Sequence, residues 1–538
     1  MRFNILIGGK AGQGIQELAV LIGKVLVNEG FYVFNYRDYG SLIAGGHNFN
    51  TLCISDKPVH SQDDELDVLV ALDENTIKKH KGSLKKQGIF VSDSYININK
   101  ILEKHKLDIK VANMIYAGFL WKTLGLDSRT FIEEIREEFK SKPQLLEQDI
   151  KAFEQGYLLA ENKKLLQIVK KGEQVQANLK TVKQVQANLK TTRYFMIGSE
   201  GIAIGALASG LDVYLAYPMT PATPVQHILA SGEIENNILV FQPENEITVA
   251  NAGLGASYAG AKVMIGSSGG GFDLMTEALS FQGMSEIPLV TYLSQRPGPG
   301  TGVPTYSLQG DLKMALGCGH GEFSRVVVAP GDPLECIEKT NEAFYLSYKL
   351  GVVSIIMADK HLGESHYTFS EMPRIKAIED NRKLPGKQVV KISSYEHNDK
   401  GLTIEHAEDV IKKFEYRIEK AKKVNEEVEK LETFKVFGNK KAGKTIVAWG
   451  STKGAILDSL ENLNDFKFLQ ILYIEPFSEK LKKELLASGE LFVLEQNSTG
   501  QLADVIEGKI FKQIDKKHRI LKYDTLPFTK KEIEERLR

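Results

Sequence analysis

The residues best suited to chemistry fall in one stretch, from about 213 to 302. Tyr217-Pro218-Met219-Thr220-Pro221 follows an apolar strand at Val213–Ala216, and its two prolines fix the backbone on either side of a hydroxyl. Such a turn can hold Thr220 at the edge of a site; alone it is only a turn. Gln242-Pro243-Glu244-Asn245-Glu246 then opens a helix, where carboxylates complement the helix dipole. That helix is packed with small residues from Ala250 to Ser257, which permits close contact with another helix or a ligand. A strand at Lys262–Ile265 leads into Ser267-Ser268-Gly269-Gly270-Gly271, a turn built for close backbone approach. Gln295-Arg296-Pro297-Gly298-Pro299-Gly300-Thr301-Gly302 presents one arginine from a rigid loop, either solvated or placed to grip a carboxylate with both arms of its guanidinium. Near the N-terminus, Gly8-Gly9-Lys10-Ala11-Gly12-Gln13-Gly14 joins a strand to a helix. Three readings fit it: a tight turn without ligand, a phosphate or coenzyme contact at the helix start, or a dinucleotide site. The glycine order opposes the last, although Asp38 lies at a suitable distance. Leu42-Ile43-Ala44-Gly45-Gly46-His47 is a second glycine turn of the same kind.

These loops need strands and helices to carry them. The chain has 538 residues, enough for about three to five domains. Phe3–Ile7, Phe31–Phe34, Val68–Leu72 and Ile89–Val91 read as buried strands, and Ile15–Asn28 and Met114–Leu124 as helices. This alternation predicts a parallel sheet covered by helices. Residues 1–170 form a first αβ domain in this reading. Residues 171–193 form a linker in which Gln174–Lys180 recurs as Gln184–Lys190. A second αβ domain spans 194–370, a charged helical connector 371–440 and a small αβ domain 441–538. Lys and Arg (68) balance Asp and Glu (69), so neither nucleic acid nor an anionic membrane is expected as partner. The apolar run at the N-terminus is too short for a signal peptide, and no stretch reaches the roughly 18 apolar residues of a membrane span, which makes the cytoplasm the expected compartment. Cys53, Cys318 and Cys336 are too dispersed for a disulfide framework, and too few for an iron–sulfur cluster held by four thiolates.

Taken together and in order, Tyr217–Pro221, Glu244-Asn245-Glu246, the small-residue helix, Ser267–Gly271, Arg296–Gly302 and Gly319-His320-Gly321-Glu322 resemble the alpha chain of 2-oxoacid:ferredoxin oxidoreductases. The opening segment, with Gly12-Gln13-Gly14, resembles that family's gamma chain. The end, with Gly450-Ser451, Glu475-Pro476-Phe477 and Glu495-Gln496-Asn497-Ser498-Thr499-Gly500-Gln501, resembles its transketolase C-terminal-like domain. The resemblance implies an α/β protein of three αβ domains: gamma-type, thiamine-pyrimidine-binding-type and transketolase C-terminal-like. It also implies a two-subunit enzyme, a heterodimer or dimer of heterodimers, in which a beta subunit carries a [4Fe-4S] cluster and most of the site for thiamine diphosphate and Mg2+. The implied reaction is coenzyme A-dependent oxidative decarboxylation of a 2-oxoacid, 2-oxoglutarate before pyruvate, with electrons passing to ferredoxin.

By the same resemblance, Glu246 hydrogen-bonds the aminopyrimidine ring and promotes deprotonation of the thiazolium carbon, with Glu244 the second candidate. Arg296 binds the substrate carboxylate with Thr301 nearby, and Tyr217, Pro218, Met219, Thr220 and Pro221 meet substrate or coenzyme A. In the reading of the first glycine loop as a ligand contact, Gly12 and Gly14 are the residues that would meet a phosphate or coenzyme. Met219 stands where the family usually has isoleucine, a swap that keeps apolar volume. Gly300 stands where serine is frequent, which removes a hydroxyl. Thiamine enzymes hold the diphosphate through a metal and a Gly-Asp-Gly pattern; this chain has only Gly310-Asp311-Leu312 and Gly331-Asp332-Pro333. That function is therefore expected of the partner. Two alternatives are a transketolase-like enzyme without electron transfer, which leaves the gamma-like opening unexplained, and a non-catalytic scaffold, against which Glu246 and Arg296 speak.

Overall fold

The alternating pattern builds three sheets in the computed structural model, which describes residues 2–40, 46–140, 143–161, 163, 165, 193–380, 382–388, 390, 392–398 and 400–538. Both copies of the linker repeat, and residues 42–45 of the second glycine turn, lie outside the described residues.

The chain divides into two units, the first comprising residues 1–196 with 365–371 and 529–531. Its seven-stranded sheet runs Leu84–Ser92, Leu66–Ala71, Arg2–Lys10, His47–Ser55, Tyr32–Tyr39, His366–Phe369, Tyr194–Ile197. Arg2–Lys10 pairs in parallel with Leu66–Ala71 but antiparallel with His47–Ser55, which itself runs antiparallel to Tyr32–Tyr39. The expected all-parallel sheet is thus mixed. The reason is the strand His47–Ser55, inserted between its two predecessors and hidden in the sequence by its polar residues. Of these, Asn50 is buried and donates to Asn35 and Gln16. The helix Ile15–Asn28 forms as its apolar spacing predicts, and buries Leu18, Ile22 and Val25 in a core with Trp121, Phe131 and Phe153.

The boundary expected at residue 194 also moves. Tyr194–Ile197 completes the first sheet beyond His366–Phe369, where Thr368 Oγ1 donates to Val33 O and accepts from Val33 N, so both ends of the segment read as the second domain belong to the first sheet.

The second unit holds residues 197–364, 372–528 and 532–538. Its larger sheet runs Tyr473–Glu475, Arg325–Val328, Val353–Asp359, Leu289–Gln295, Val263–Ser267, Val213–Ala216, Leu239–Phe241. All neighbours are parallel except Tyr473–Glu475, which runs antiparallel to Arg325–Val328. The smaller sheet runs Phe434–Gly438, Phe466–Ile471, Lys444–Trp449, Glu490–Glu495, Arg519–Leu521, with only its first pair antiparallel. One core joins the two sheets: Leu293, Val327 and Ile355 of the larger pack in the same cluster as Val447, Trp449, Leu469 and Val493 of the smaller. The second αβ segment and the C-terminal one therefore share one hydrophobic interior. The charged connector supplies the helix Ala407–Val428, which buries Val424, Glu427 and Val428 near its C-terminal end. Among the described residues no helix is long and apolar enough to cross a membrane.

Candidate active site

In an open parallel sheet, ligands lie beyond the carboxyl ends of the strands. The chemistry-bearing loops singled out above occupy that place on four consecutive strands. Leu289–Gln295 leads to Arg296, Val263–Ser267 to the glycine turn, Val213–Ala216 to Tyr217–Pro221, and the edge strand Leu239–Phe241 to Glu246. The register places Ala216 beside Gly266 and Ser267 beside Leu293, so the loops leave the sheet side by side.

Glu246 begins the helix Glu246–Ala259, whose N-cap is Asn245, with Oδ1 accepting from Thr248 N at 2.9 Å. Its side chain turns inward and only 4% of the residue is exposed. Its Oε1 is buried without a hydrogen-bond partner among the described residues. Gly271 makes this possible: a Cβ there would stand 2.6 Å from Glu246 Oε1 and 2.1 Å from Ser267 Oγ. Glu244 is different. It is exposed and accepts from Thr248 Oγ1 at 2.8 Å, and that bond holds its carboxyl below the usual range. Of the two carboxylates, only Glu246 is buried with an oxygen free to meet a ligand.

The stiff turn closes over the same place. Met219 Sδ lies 4.0 Å from Ser267 Oγ, and Arg296 Nη1 donates to Thr220 O at 2.8 Å. Thr220–Pro221 is a cis peptide and Pro221 is buried, whereas Tyr217 and Pro218 face outward and Met219 and Thr220 are half-buried. Arg296 Nε is buried without a partner among the described residues. Burial lowers the guanidinium from its ordinary value, and the charge of Asp311 acts the other way. Thr301 is exposed on the loop beyond. Gly12 and Gly14 lie in the first unit. Gly14 caps the helix Ile15–Asn28 with a positive φ of 68°, and Gln13 Oε1 accepts from Lys10 N at 2.7 Å, closing the loop on itself.

The sequence assigns no site role to two members of the cluster, Ser268 within the glycine turn and Asp311. Ser268 Oγ and Asp311 Oδ2 are also buried and unpartnered among the described residues. Asp311 entered the sequence reading only as a failed diphosphate motif, and no local periodicity marks it. A buried carboxylate, a guanidinium nitrogen, a hydroxyl and a second carboxyl, all with unused hydrogen-bonding capacity, form a site shaped for a polar ligand. The residues fit the pyrimidine end of a thiamine cofactor: Glu246 offers a buried carboxyl oxygen without a partner among the described residues, beside Gly271. Among the described residues no group of three or more His, Cys, Asp or Glu could hold a metal ion.

Comparisons with known proteins bear on the chain as a whole. Residues 204–433 match the family described as pyruvate flavodoxin/ferredoxin oxidoreductase, thiamine diP-bdg, and residues 4–159 match pyruvate ferredoxin/flavodoxin oxidoreductase. The 2-oxoacid:ferredoxin oxidoreductase subunit alpha of Sulfolobus sp is 27% identical over 100% of this chain and 96% of its own length. The 2-oxoglutarate oxidoreductase subunit KorA of Mycobacterium tuberculosis is 26% identical over 94% of this chain and 87% of its own. The 2-oxoglutarate:ferredoxin oxidoreductase of Magnetococcus marinus, solved with 2-oxoglutarate, coenzyme A and succinyl-CoA bound, shares the fold with a TM-score of 0.85 at 24% identity, covering 100% of both chains. The family matches, together with the fold, define an oxidoreductase chain of the thiamine-diphosphate-binding class. The chain belongs to the 2-oxoacid:ferredoxin oxidoreductase family, and its full-length relatives there are alpha subunits.

Proposed function

We propose that this chain, with a beta subunit, converts a 2-oxoacid and coenzyme A to acyl-CoA and CO2. Two electrons pass to two ferredoxins and one proton is released. 2-Oxoglutarate is the favoured substrate and pyruvate the next. The observation that carries this reading is the buried Glu246, with an open carboxylate oxygen, in the same cluster as Arg296. Thiamine diphosphate, when bound, supplies the nucleophilic carbon and the electron sink for decarboxylation. Glu246 Oε1 holds and moves the proton at the cofactor's pyrimidine ring. Arg296 orients the substrate by its carboxylate, and the Tyr217–Pro221 turn holds the guanidinium through the Thr220 carbonyl. The beta subunit supplies the diphosphate and Mg2+ contacts and the [4Fe-4S] cluster, in a heterodimer or dimer of heterodimers in the cytoplasm. Exposed apolar side chains on the site's own elements, Tyr217, Phe241, Ile247 and Leu274, support such a partner.

The test is anaerobic dye reduction by the co-purified alpha and beta chains with thiamine diphosphate, Mg2+ and coenzyme A. Reduction that requires coenzyme A and is faster with 2-oxoglutarate than with pyruvate is expected. A complex with intact clusters and cofactor that reduces dye with no 2-oxoacid would sink the proposal. Arg296→Lys keeps the charge but loses the planar fork. A charge-assisted hydrogen bond contributes about 1.5–3 kcal/mol, so KM for the 2-oxoacid should rise roughly 10- to 100-fold. An unchanged KM would remove Arg296 from substrate binding.

A further inference from the structure

The Glu495–Gln501 motif has no part in the mechanism above, yet it grips one short loop of the site. Gln309 N donates to Gln496 O at 2.7 Å, and Gln496 N donates to Gln309 Oε1 at 3.0 Å. Asn497 Nδ2 donates to Gln309 O at 3.1 Å, and Gln501 Nε2 to Gly310 O at 2.7 Å. Gln501 Oε1 accepts from Lys313 N at 2.9 Å. The motif is itself rigid, because buried Glu495 accepts from Asn497 Nδ2, Leu502 N and Ala503 N at the start of the helix Gln501–Ile510. What the clamp holds in place is Asp311. Its backbone N–H donates to the buried Gln295 at 3.1 Å, one residue before Arg296. Its carboxyl lies against Gly269, where a Cβ would stand 2.5 Å from Asp311 Oδ2. So much hydrogen bonding to present one buried and unpartnered carboxyl oxygen needs a reason beyond packing.

We propose that Asp311, fixed by the Gln496–Gln501 clamp, is a positioning residue whose charge sets how strongly Arg296 binds the substrate carboxylate. The inference rests on the reading of Arg296 as the carboxylate-binding residue. The charged groups acting on Asp311 are Arg296 from the loop beyond the central strand and Asp273 from the helix Gly269–Ser285; Glu246 meets the same glycine turn at Gly271. Lys313, on its own helix, is taken up by Asp504. Burial raises the Asp311 carboxyl to about 6, Arg296 opposing and Asp273 reinforcing the rise. An ionised Asp311 offsets part of the Arg296 charge. An arriving substrate carboxylate further disfavours the ionised form, so substrate binding draws a proton onto Asp311. By linkage, affinity rises as pH falls through the interval between the substrate-bound value and about 6, and is level on either side of it. The 2-oxoacid carboxylate itself stays ionised throughout this range.

The experiment is KM and kcat for 2-oxoglutarate with the assembled alpha–beta enzyme from pH 5.5 to 8.5, for the native protein, Asp311→Asn and Gln501→Ala. With substrate binding raising Asp311 by about one unit, a tenfold effect over the full range, the native KM should be roughly fivefold lower at pH 6 than at pH 8. Asp311→Asn should flatten the KM profile at the low value. Gln501→Ala, which releases the loop without touching the site, should weaken the pH dependence in the same direction. An Asp311→Asn profile parallel to the native one would overturn the proposal, as would equal changes in kcat and KM at every pH. Arg296→Lys separates the two readings: if its KM is native, the carboxylate role itself fails, whatever Asp311 does.

Discussion

Glu246→Gln should reduce kcat of the assembled enzyme by about 10^2- to 10^4-fold, the range associated with losing a positioned proton-transfer group. The replacement keeps shape and hydrogen-bonding capacity but cannot exchange a proton as a carboxyl does. Cofactor binding should therefore persist while the chemistry stops, and KM should change far less than kcat. The structure supplies a matched control two residues away. Glu244 is exposed and tied to Thr248, so Glu244→Gln should keep kcat within about twofold, since surface changes away from special features have small effects. Stopped-flow dye reduction on both variants, with cofactor content measured, decides the matter. If Glu244→Gln proves the crippled variant, the assignment is reversed.

The second large effect concerns stability. Glu335, fully buried in the helix Pro333–Leu350, accepts from Lys453 at 2.5 Å, Lys435 at 2.9 Å, Gln470 at 2.6 Å and Gly331 N at 2.8 Å. Lys453 also pairs with Asp332. Burial works against the charged carboxyl, but the two lysines and their hydrogen bonds outweigh it and hold Glu335 well below the usual carboxylate range. Glu335→Ala leaves Lys453 inside the protein with Asp332 as its remaining carboxylate, and should cost about 3–5 kcal/mol, the usual penalty for breaking a buried pair. Because the folded carboxyl is depressed, its contribution is fully present above its ordinary value of 4.5 and drains away as pH falls below it. Urea unfolding at pH 7 and pH 4 should show the native protein losing stability over that interval by a larger margin than the variant. A variant as stable as the native chain at pH 7 would show that the network merely breaks even.

Much of the site was legible because its residues are contiguous. Tyr217–Pro221 and Ser267–Gly271 follow strands that the apolar pattern predicts, and the sheet order sets Glu246 and Arg296 beside them. The choice between Glu244 and Glu246 needed three dimensions, since it turns on which side of a helix start faces the Gly271 turn. Asp311 was illegible because its position is set by Gln496, Asn497 and Gln501, far along the chain. The helix Ile15–Asn28 was read from its apolar spacing, while the strand His47–Ser55 was missed because its buried polar residues break the alternation. The sharing of the first sheet by distant strands is likewise a matter of pairing, which local pattern does not encode.

That sharing sets a timetable for synthesis. Tyr32–Tyr39 has one neighbour, His47–Ser55, close behind it in the chain, but its other neighbour is His366–Phe369. At about 5–20 residues per second, that second neighbour leaves the ribosome roughly 15–70 seconds after the first. Throughout that interval one side of Tyr32–Tyr39 is an open edge, a template for any other nascent strand nearby. The N-terminal domain thus waits for the middle of the chain before that side of Tyr32–Tyr39 is paired, and a chain truncated before residue 366 would leave it unpaired.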